Sequence, residues 1–126
     1  MLQKILLVDD NAEARDVLEE ALLSQGYEVS TASNGQEALQ IFRATPTDLL
    51  ITDLNMPGID GWQLCADFRG VSTIPILIVT GSIGAGSPEL QAYNRQLADG
   101  LLQKPVNLVE FLGTVRKLLP RSVAAQ

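Results

Sequence analysis

Short apolar runs that lack polar alternation recur along this chain, each followed by a helical pattern, and that recurrence constrains its fold most tightly. Lys4 to Val8 is the first such run, ended by Asp9 and Asp10. A strand shielded on one face alternates apolar and polar residues, whereas a strand covered on both faces reads as continuously apolar, the mark of a parallel sheet. Glu28 to Ala32, Asp48 to Asp53, Pro75 to Val79 and Leu101 to Gln103 are the further strand candidates. Between them, Ala12 to Ser24 places Ala14, Val17, Leu18, Ala21 and Leu22 at helical spacing, with Asn11 or Asp10 as cap and Gly26 just past the end. Asn34 to Arg43 aligns Ala38, Leu39 and Phe42, a helix is predicted from about Gly61 to Phe68, and a weaker one from about Pro88 to Leu97. Asn107 caps a last helix through Leu119, with Val109, Leu112, Val115 and Leu119 facing inward and Pro120 ending it. Strand and helix thus alternate five times, which predicts an α/β, doubly wound sandwich around a five-stranded parallel sheet.

The 126 residues suit one such unit, and 46% hydrophobic against 19% charged residues is a globular balance. Residues 1–120 are expected to form the domain, and 121–126 a C-terminal tail or truncated linker. Nine basic against 15 acidic residues give 9 − 15 = −6, so the surface as a whole repels phosphate backbones and anionic lipid. No direct nucleic-acid or membrane partner is expected. A single cysteine, no apolar run long enough to cross a bilayer and no signal-peptide pattern predict a cytoplasmic setting. The absence of histidine removes His-based general bases and His metal sites, so acid, base and nucleophile chemistry rests mostly on carboxylates.

Ligands of an open parallel sheet bind at the carboxyl ends of its strands. There this chain carries Asp9 and Asp10 after the first strand, Asp53 at the end of the third, Thr80 after the fourth and Lys104 after the fifth. Carboxylates gathered together repel by roughly 1 kcal/mol per pair in water and several times that when partly buried, so the group calls for a cation. Hard oxygen donors without histidine or thiol point to Mg²⁺, with Mn²⁺ as substitute. Lys104 adds a second positive charge and Thr80 a hydrogen-bond donor, the parts that phosphoryl transfer requires, and the nucleophile must be one of the carboxylates. Taken singly, each of these residues also suits a turn or cap; together at one rim they do not. Cys65 reads as a small buried apolar group and Trp62 as a packing residue. The Gly-rich stretch from Gly81 to Gly86 lacks the spacing of a phosphate loop and reads as a flexible loop.

Four stretches, Ile-Leu-Leu-Val-Asp-Asp at 5–10, Asp-Leu-Asn-Met-Pro-Gly-Ile-Asp-Gly at 53–61, Ile-Leu-Ile-Val-Thr-Gly at 76–81 and Lys-Pro at 104–105, resemble the receiver domains of bacterial response regulators. The resemblance runs from Lys4 to about Leu119. It implies the flavodoxin-like strand order 2-1-3-4-5 and a two-component or phosphorelay role in which Asp53 is the phosphoacceptor. It implies that Asp10, Asp53 and the backbone carbonyl of Asn55 ligate Mg²⁺, with Asp9 acting through a metal-bound water. Thr80 and Lys104 would contact the phosphoryl group, Gly81 would leave room for it, and the Lys104-Pro105 bond would be cis. The implied donor is a phosphohistidine on a histidine kinase or histidine phosphotransfer protein. The output is an affinity change toward a downstream protein target. Such a chain assists its own phosphorylation and dephosphorylation and is not a multiple-turnover metabolic enzyme.

Two departures bear on output. The position that often carries Tyr or Phe in this family is Leu101, so an aromatic switch cannot operate in that form, and the segment between Thr80 and Lys104 is Gly-rich and slightly long. They motivate the alternative of a non-phosphorylated pseudo-receiver acting as a protein-interaction module, although the acidic residues and the lysine are all in place. A flavodoxin-like cofactor binder would want a Ser/Thr/Gly-rich phosphate loop where Asp9 and Asp10 stand. A haloacid-dehalogenase-type phosphatase would want Asp-x-Asp where this chain has Asp-Leu-Asn.

Overall fold

The computed structural model describes residues 2–53, 61–81 and 98–119, and of residues 61 and 62 the backbone alone. Five parallel strands, β1 (Lys4–Val8), β2 (Glu28–Ala32), β3 (Leu49–Thr52), β4 (Ile76–Thr80) and β5 (Gly100–Gln103), form one sheet in the order β2-β1-β3-β4-β5. The described helices are α1 (Ala12–Ser24), α2 (Gly35–Ala44), α3 (Gly61–Val71) and α4 (Leu108–Leu118). The loop expected after Asn55, the stretch 82–86, the helix expected over Pro88 to Leu97, the side chain of Trp62, Pro120 and the tail lie outside the described residues.

The absence of polar alternation in β1, β3 and β4 has its cause in two cores, one on each face of the sheet. Leu6, Val8, Leu50, Ile76 and Ile78 point to one side, where Ala38, Leu64, Cys65 and Phe68 of α2 and α3 meet them. Ile5, Leu7, Leu49, Ile51, Leu77 and Val79 point to the other, against Leu18 and Leu22 of α1 and Phe111 and Val115 of α4. Each fully buried Leu, Ile or Phe stabilises the fold by about 1.5–3 kcal/mol relative to an exposed one. A polar residue facing either side would therefore cost that burial and its own desolvation.

Asparagine starts three of the helices. Asn11 Oδ1 accepts from Ala14 N, Asn34 Oδ1 from Glu37 N, and Asn107 Oδ1 from Val109 N and Glu110 N. Each satisfies amides that the first turn leaves unpaired. Glu37 answers in kind, accepting from Ser33 N. At the end of α1, Gly26 adopts φ 87°, its amide donating to Leu23 O and that of Tyr27 to Leu22 O. That left-handed turn favours glycine and drives Tyr27 into the core, where it is buried.

One inward assignment is corrected. Val109 is 79% exposed, and the inward row of α4 is instead carried by Phe111, Val115 and Leu119, with Leu112 partly buried. Val17 of α1 is 52% exposed, whereas Leu18 and Leu22 are buried. The third helix also runs past Phe68 to Val71, through Gly70.

Cys65 is fully buried, and desolvation pushes its thiol up to about 12, against a smaller downward pull from Arg69. The thiolate is the reactive species, so iodoacetamide at mildly alkaline pH should leave Cys65 unmodified in the native chain while alkylating it fully after denaturation. Rapid native modification, read by intact mass, would contradict its burial.

Candidate functional site

Strand register brings the acids together. Val8 pairs with Thr52 across the β1–β3 ladder, so Asp9 and Asp53 each follow the last residue of neighbouring parallel strands. Their amides continue the ladder, Asp53 N donating to Val8 O and Asp9 N to Ala32 O. On the far side Thr80 pairs with Gln103, and Lys104 N donates to Thr80 O. Asp9, Asp10, Asp53, Thr80 and Lys104 therefore stand at one carboxyl rim, the place expected from the sequence.

Within that rim, Asp9 and Asp53 are 2% and 6% exposed, and Thr80 is fully buried. Lys104 Nζ donates to Asp9 Oδ2 at 2.6 Å and to Asp53 Oδ2 at 2.9 Å, one ammonium bridging two buried carboxylates. Burial alone would lower the lysine pKa, but the hydrogen bonds and negative charges of Asp53 and Asp9 outweigh it and raise it above the ordinary value. The other oxygen of Asp9 accepts from Asn11 N at 2.9 Å, and its main-chain carbonyl accepts from Arg15 Nη1 at 2.7 Å. Asp10 is exposed beside them. The Lys104-Pro105 bond is cis. A Cβ built on Gly81 would meet nothing within 4 Å, so open space adjoins the end of β4. Asn55 lies outside the described residues.

The donor set suits a hard divalent cation. One carboxylate oxygen each from Asp9, Asp10 and Asp53 lie within 4.8 Å of one another. Oxygens about 2.1 Å from an octahedral Mg²⁺ stand roughly 3 Å apart when adjacent and roughly 4.2 Å apart when opposite, so donors gathered this closely can serve one ion, directly or through a bound water. Three carboxylates outnumber the Lys104 ammonium that bridges two of them, an excess of negative charge that a divalent ion would offset.

Sequence patterning did not pick out Arg15, because a side chain that donates to a main-chain carbonyl leaves no spacing signature. Val17, placed by the sequence in the apolar column of α1, lines a groove of about 610 Å³ with Ala14 and Leu18 of α1, Lys104, Pro105 and Leu108. The surplus apolar column on α1, wider than its buried stripe, was the available signal. Leu101 is partly buried, pairs with Ile78 and packs against the core on the α2–α3 side. Among the described residues no helix is long and apolar enough to cross a membrane.

Comparison with known proteins gives one answer. The chain is 39% identical over 120 residues to the probable transcriptional regulator ycf27 of Porphyra purpurea, covering 95% of this chain and 49% of that protein. It is 37% identical over 125 residues to the response regulator MprA of Mycobacterium tuberculosis, covering 97% of this chain and 53% of the relative. The chain thus spans about half the length of these curated relatives. Among solved structures, the chemotaxis protein CheY4 of Vibrio cholerae superposes with a TM-score of 0.85 at 34% identity, covering 94% of this chain and all of that one. The response regulator TrrA of Thermotoga maritima, solved in complex with Mg²⁺ and BeF, superposes with a TM-score of 0.82 at 35% identity over 94% of this chain and 100% of TrrA. The response regulator receiver domain model matches residues 5–116, and with the parallel sheet and its acidic rim this establishes that the chain belongs to the response regulator receiver domain family of two-component systems.

Proposed function

We propose that the chain takes a phosphoryl group onto Asp53 from a phosphohistidine of a partner histidine kinase or histidine phosphotransfer protein. The observation that carries this reading is the Lys104 bridge, which holds Asp53 and Asp9 together at the carboxyl rim with Asp10 beside them. A carboxylate oxygen of Asp53 attacks phosphorus in line. The new O–P bond forms as the N–P bond of the donor breaks, and the electron pair leaves on the imidazole nitrogen. Lys104 transfers part of its bonding from the carboxylate to the phosphoryl oxygens, and Thr80 donates its hydroxyl to the same group. Gly81 leaves the space into which that group fits. Water later attacks phosphorus, releasing inorganic phosphate and restoring the Asp53 carboxylate.

Asp10 and Asp53, with the Asn55 carbonyl that the resemblance adds, are the residues to hold Mg²⁺, and Asp9 acts through a water. The ion, or Mn²⁺ in its place, supplies positive charge to the phosphoryl oxygens when bound. That TrrA was solved with Mg²⁺ and BeF supports this choice. Residues 1–120 act as the receiver unit and 121–126 as tail or linker. Phosphorylation changes affinity for a downstream protein by shifting a conformational population, without an aromatic ring at Leu101. Intact-mass detection of one phosphoryl group per chain, taken up from acetyl phosphate only with Mg²⁺ present, is the test. No uptake would overturn the proposal.

The donor protein approaches along the groove that opens beside Lys104, whose apolar wall is Ala14, Val17 and Leu108. Val17→Asp removes apolar contact and adds a charge beside Glu13. It should slow transfer from a phosphohistidine protein about tenfold, the scale of losing one good interface contact, while acetyl phosphate labels it at the wild-type rate. Equal slowing with both donors would place the effect in the chemistry and remove the groove from donor recognition.

A further inference from the structure

Asp9 is held at every polar atom: its amide donates to Ala32 O, its carboxylate accepts from Asn11 N and Lys104 Nζ, and its carbonyl accepts from Arg15 Nη1. The last of these contacts is unlike the rest. Arg15 sits one turn into α1, close to the positive end of the helix dipole, where a cation is disfavoured. It is partly buried, and it reaches back six residues to a main-chain oxygen rather than outward to solvent. An arginine with only a solubilising role would keep its guanidinium in water.

The carbonyl it grips belongs to the peptide between Asp9 and Asp10. Holding that carbonyl restrains ψ of Asp9 and φ of Asp10, the two torsions that set the direction of the Asp10 Cα–Cβ bond relative to β1. Asp10 is exposed, and no hydrogen bond to another described residue holds its carboxylate. Its aim toward the cluster it forms with Asp9 and Asp53 therefore depends on the peptide that carries it.

We infer that Arg15 is a positioning residue, which fixes the Asp9–Asp10 peptide through the Asp9 carbonyl and so aims Asp10 at the cation site. The inference rests on the proposed Mg²⁺ site but not on phosphorylation. Charge and positioning make opposite predictions. Arg15→Met keeps the apolar stem and removes a positive charge near the site, which by electrostatics alone would tighten Mg²⁺ binding. Positioning predicts weaker binding by about tenfold, the scale on which groups that orient metal ligands act.

Mg²⁺ titration of the full chain by calorimetry, with tryptophan fluorescence as a second readout, decides between them for wild type, Arg15→Met and Arg15→Lys. Arg15→Met should bind about tenfold more weakly, and Arg15→Lys, which retains one donor, should recover part of that loss. Both should remain folded by circular dichroism. Unchanged or tighter binding by Arg15→Met overturns the inference, as does failure of Arg15→Lys to bind better than Arg15→Met. A wild-type chain that binds no Mg²⁺ at millimolar concentration removes the cation site itself, and with it both this inference and the metal half of the proposed function.

Discussion

Asp53→Asn and Asp53→Ala are expected to abolish Mg²⁺-dependent phosphoryl uptake from acetyl phosphate completely, while Asp9 and Asp10 remain in place. The expectation rests on what the three acids already do. Asp9 has both carboxylate oxygens engaged, one by Asn11 N and the other by Lys104, so attack on phosphorus would break the turn that begins α1. Asp10 is exposed and makes no hydrogen bond to the ammonium that must meet the transferred group. Asp53 ends a central strand, touches Lys104 and lies within 4.8 Å of both partners. The amide of Asn is nearly isosteric with the carboxylate, so that variant tests nucleophilicity with little change in packing. Its loss of charge should also weaken Mg²⁺ binding. Labelling at full stoichiometry in Asp53→Asn, located by peptide mapping, would move the phosphoacceptor elsewhere and sink the assignment.

The sequence yielded the strands and the rim far more readily than the helix faces, for a physical reason. A strand buried on both sides must be apolar along nearly its whole length, and the interior strands β1, β3 and β4 are so while the edge strand β2 is not. The residue that follows such a strand is the first free to be polar, so Asp9, Asp53 and Lys104 declared the rim by position alone. Helix orientation is weaker information. On α4, the rows Val109–Leu112 and Phe111–Val115 are both apolar at helical spacing, and only the tertiary packing, which buries Phe111 and Val115 in one core with Leu77 and Val79 of the sheet, chooses between them. The helix predicted to about Phe68 continues through Gly70 to Val71, although glycine costs about 1 kcal/mol inside a helix. The Arg69 guanidinium there pairs with Asp99 and donates to Ile74 O, long-range and local anchors that favour completing the turn. Hydrogen bonds from a side chain to a distant carbonyl, such as Arg15 to Asp9, have no periodicity and were silent for that reason.

Lys104→Met should affect stability and chemistry together, and the metal dependence separates the two. Removing the ammonium leaves the buried carboxylates of Asp9 and Asp53 close together without the cation that bridges them. Breaking a fully buried ion pair costs roughly 3–5 kcal/mol. The Lys104 side chain is 22% exposed, so solvent screens part of the field and about 2 kcal/mol is the expected loss in Mg²⁺-free buffer. Added Mg²⁺ should return part of that loss, since an ion that binds only the folded state stabilises it by mass action and here replaces missing charge. Phosphoryl uptake should nonetheless stay roughly a hundredfold or more below wild type at saturating Mg²⁺, because the donor aimed at the transferred group is gone. The pH dependence follows from the raised lysine pKa. A folded-state value above the unfolded one means that the stabilisation is complete below the ordinary lysine value, 10.5, and is lost only as pH rises through the higher folded value. Wild type without metal should therefore lose this contribution in the strongly alkaline range, and Lys104→Met should lack that component. Chemical denaturation across pH measures it. Equal stability of the two proteins at neutral pH without Mg²⁺, or rapid labelling of Lys104→Met with it, would show that the bridge between Asp9 and Asp53 neither neutralises the acids nor serves the transfer.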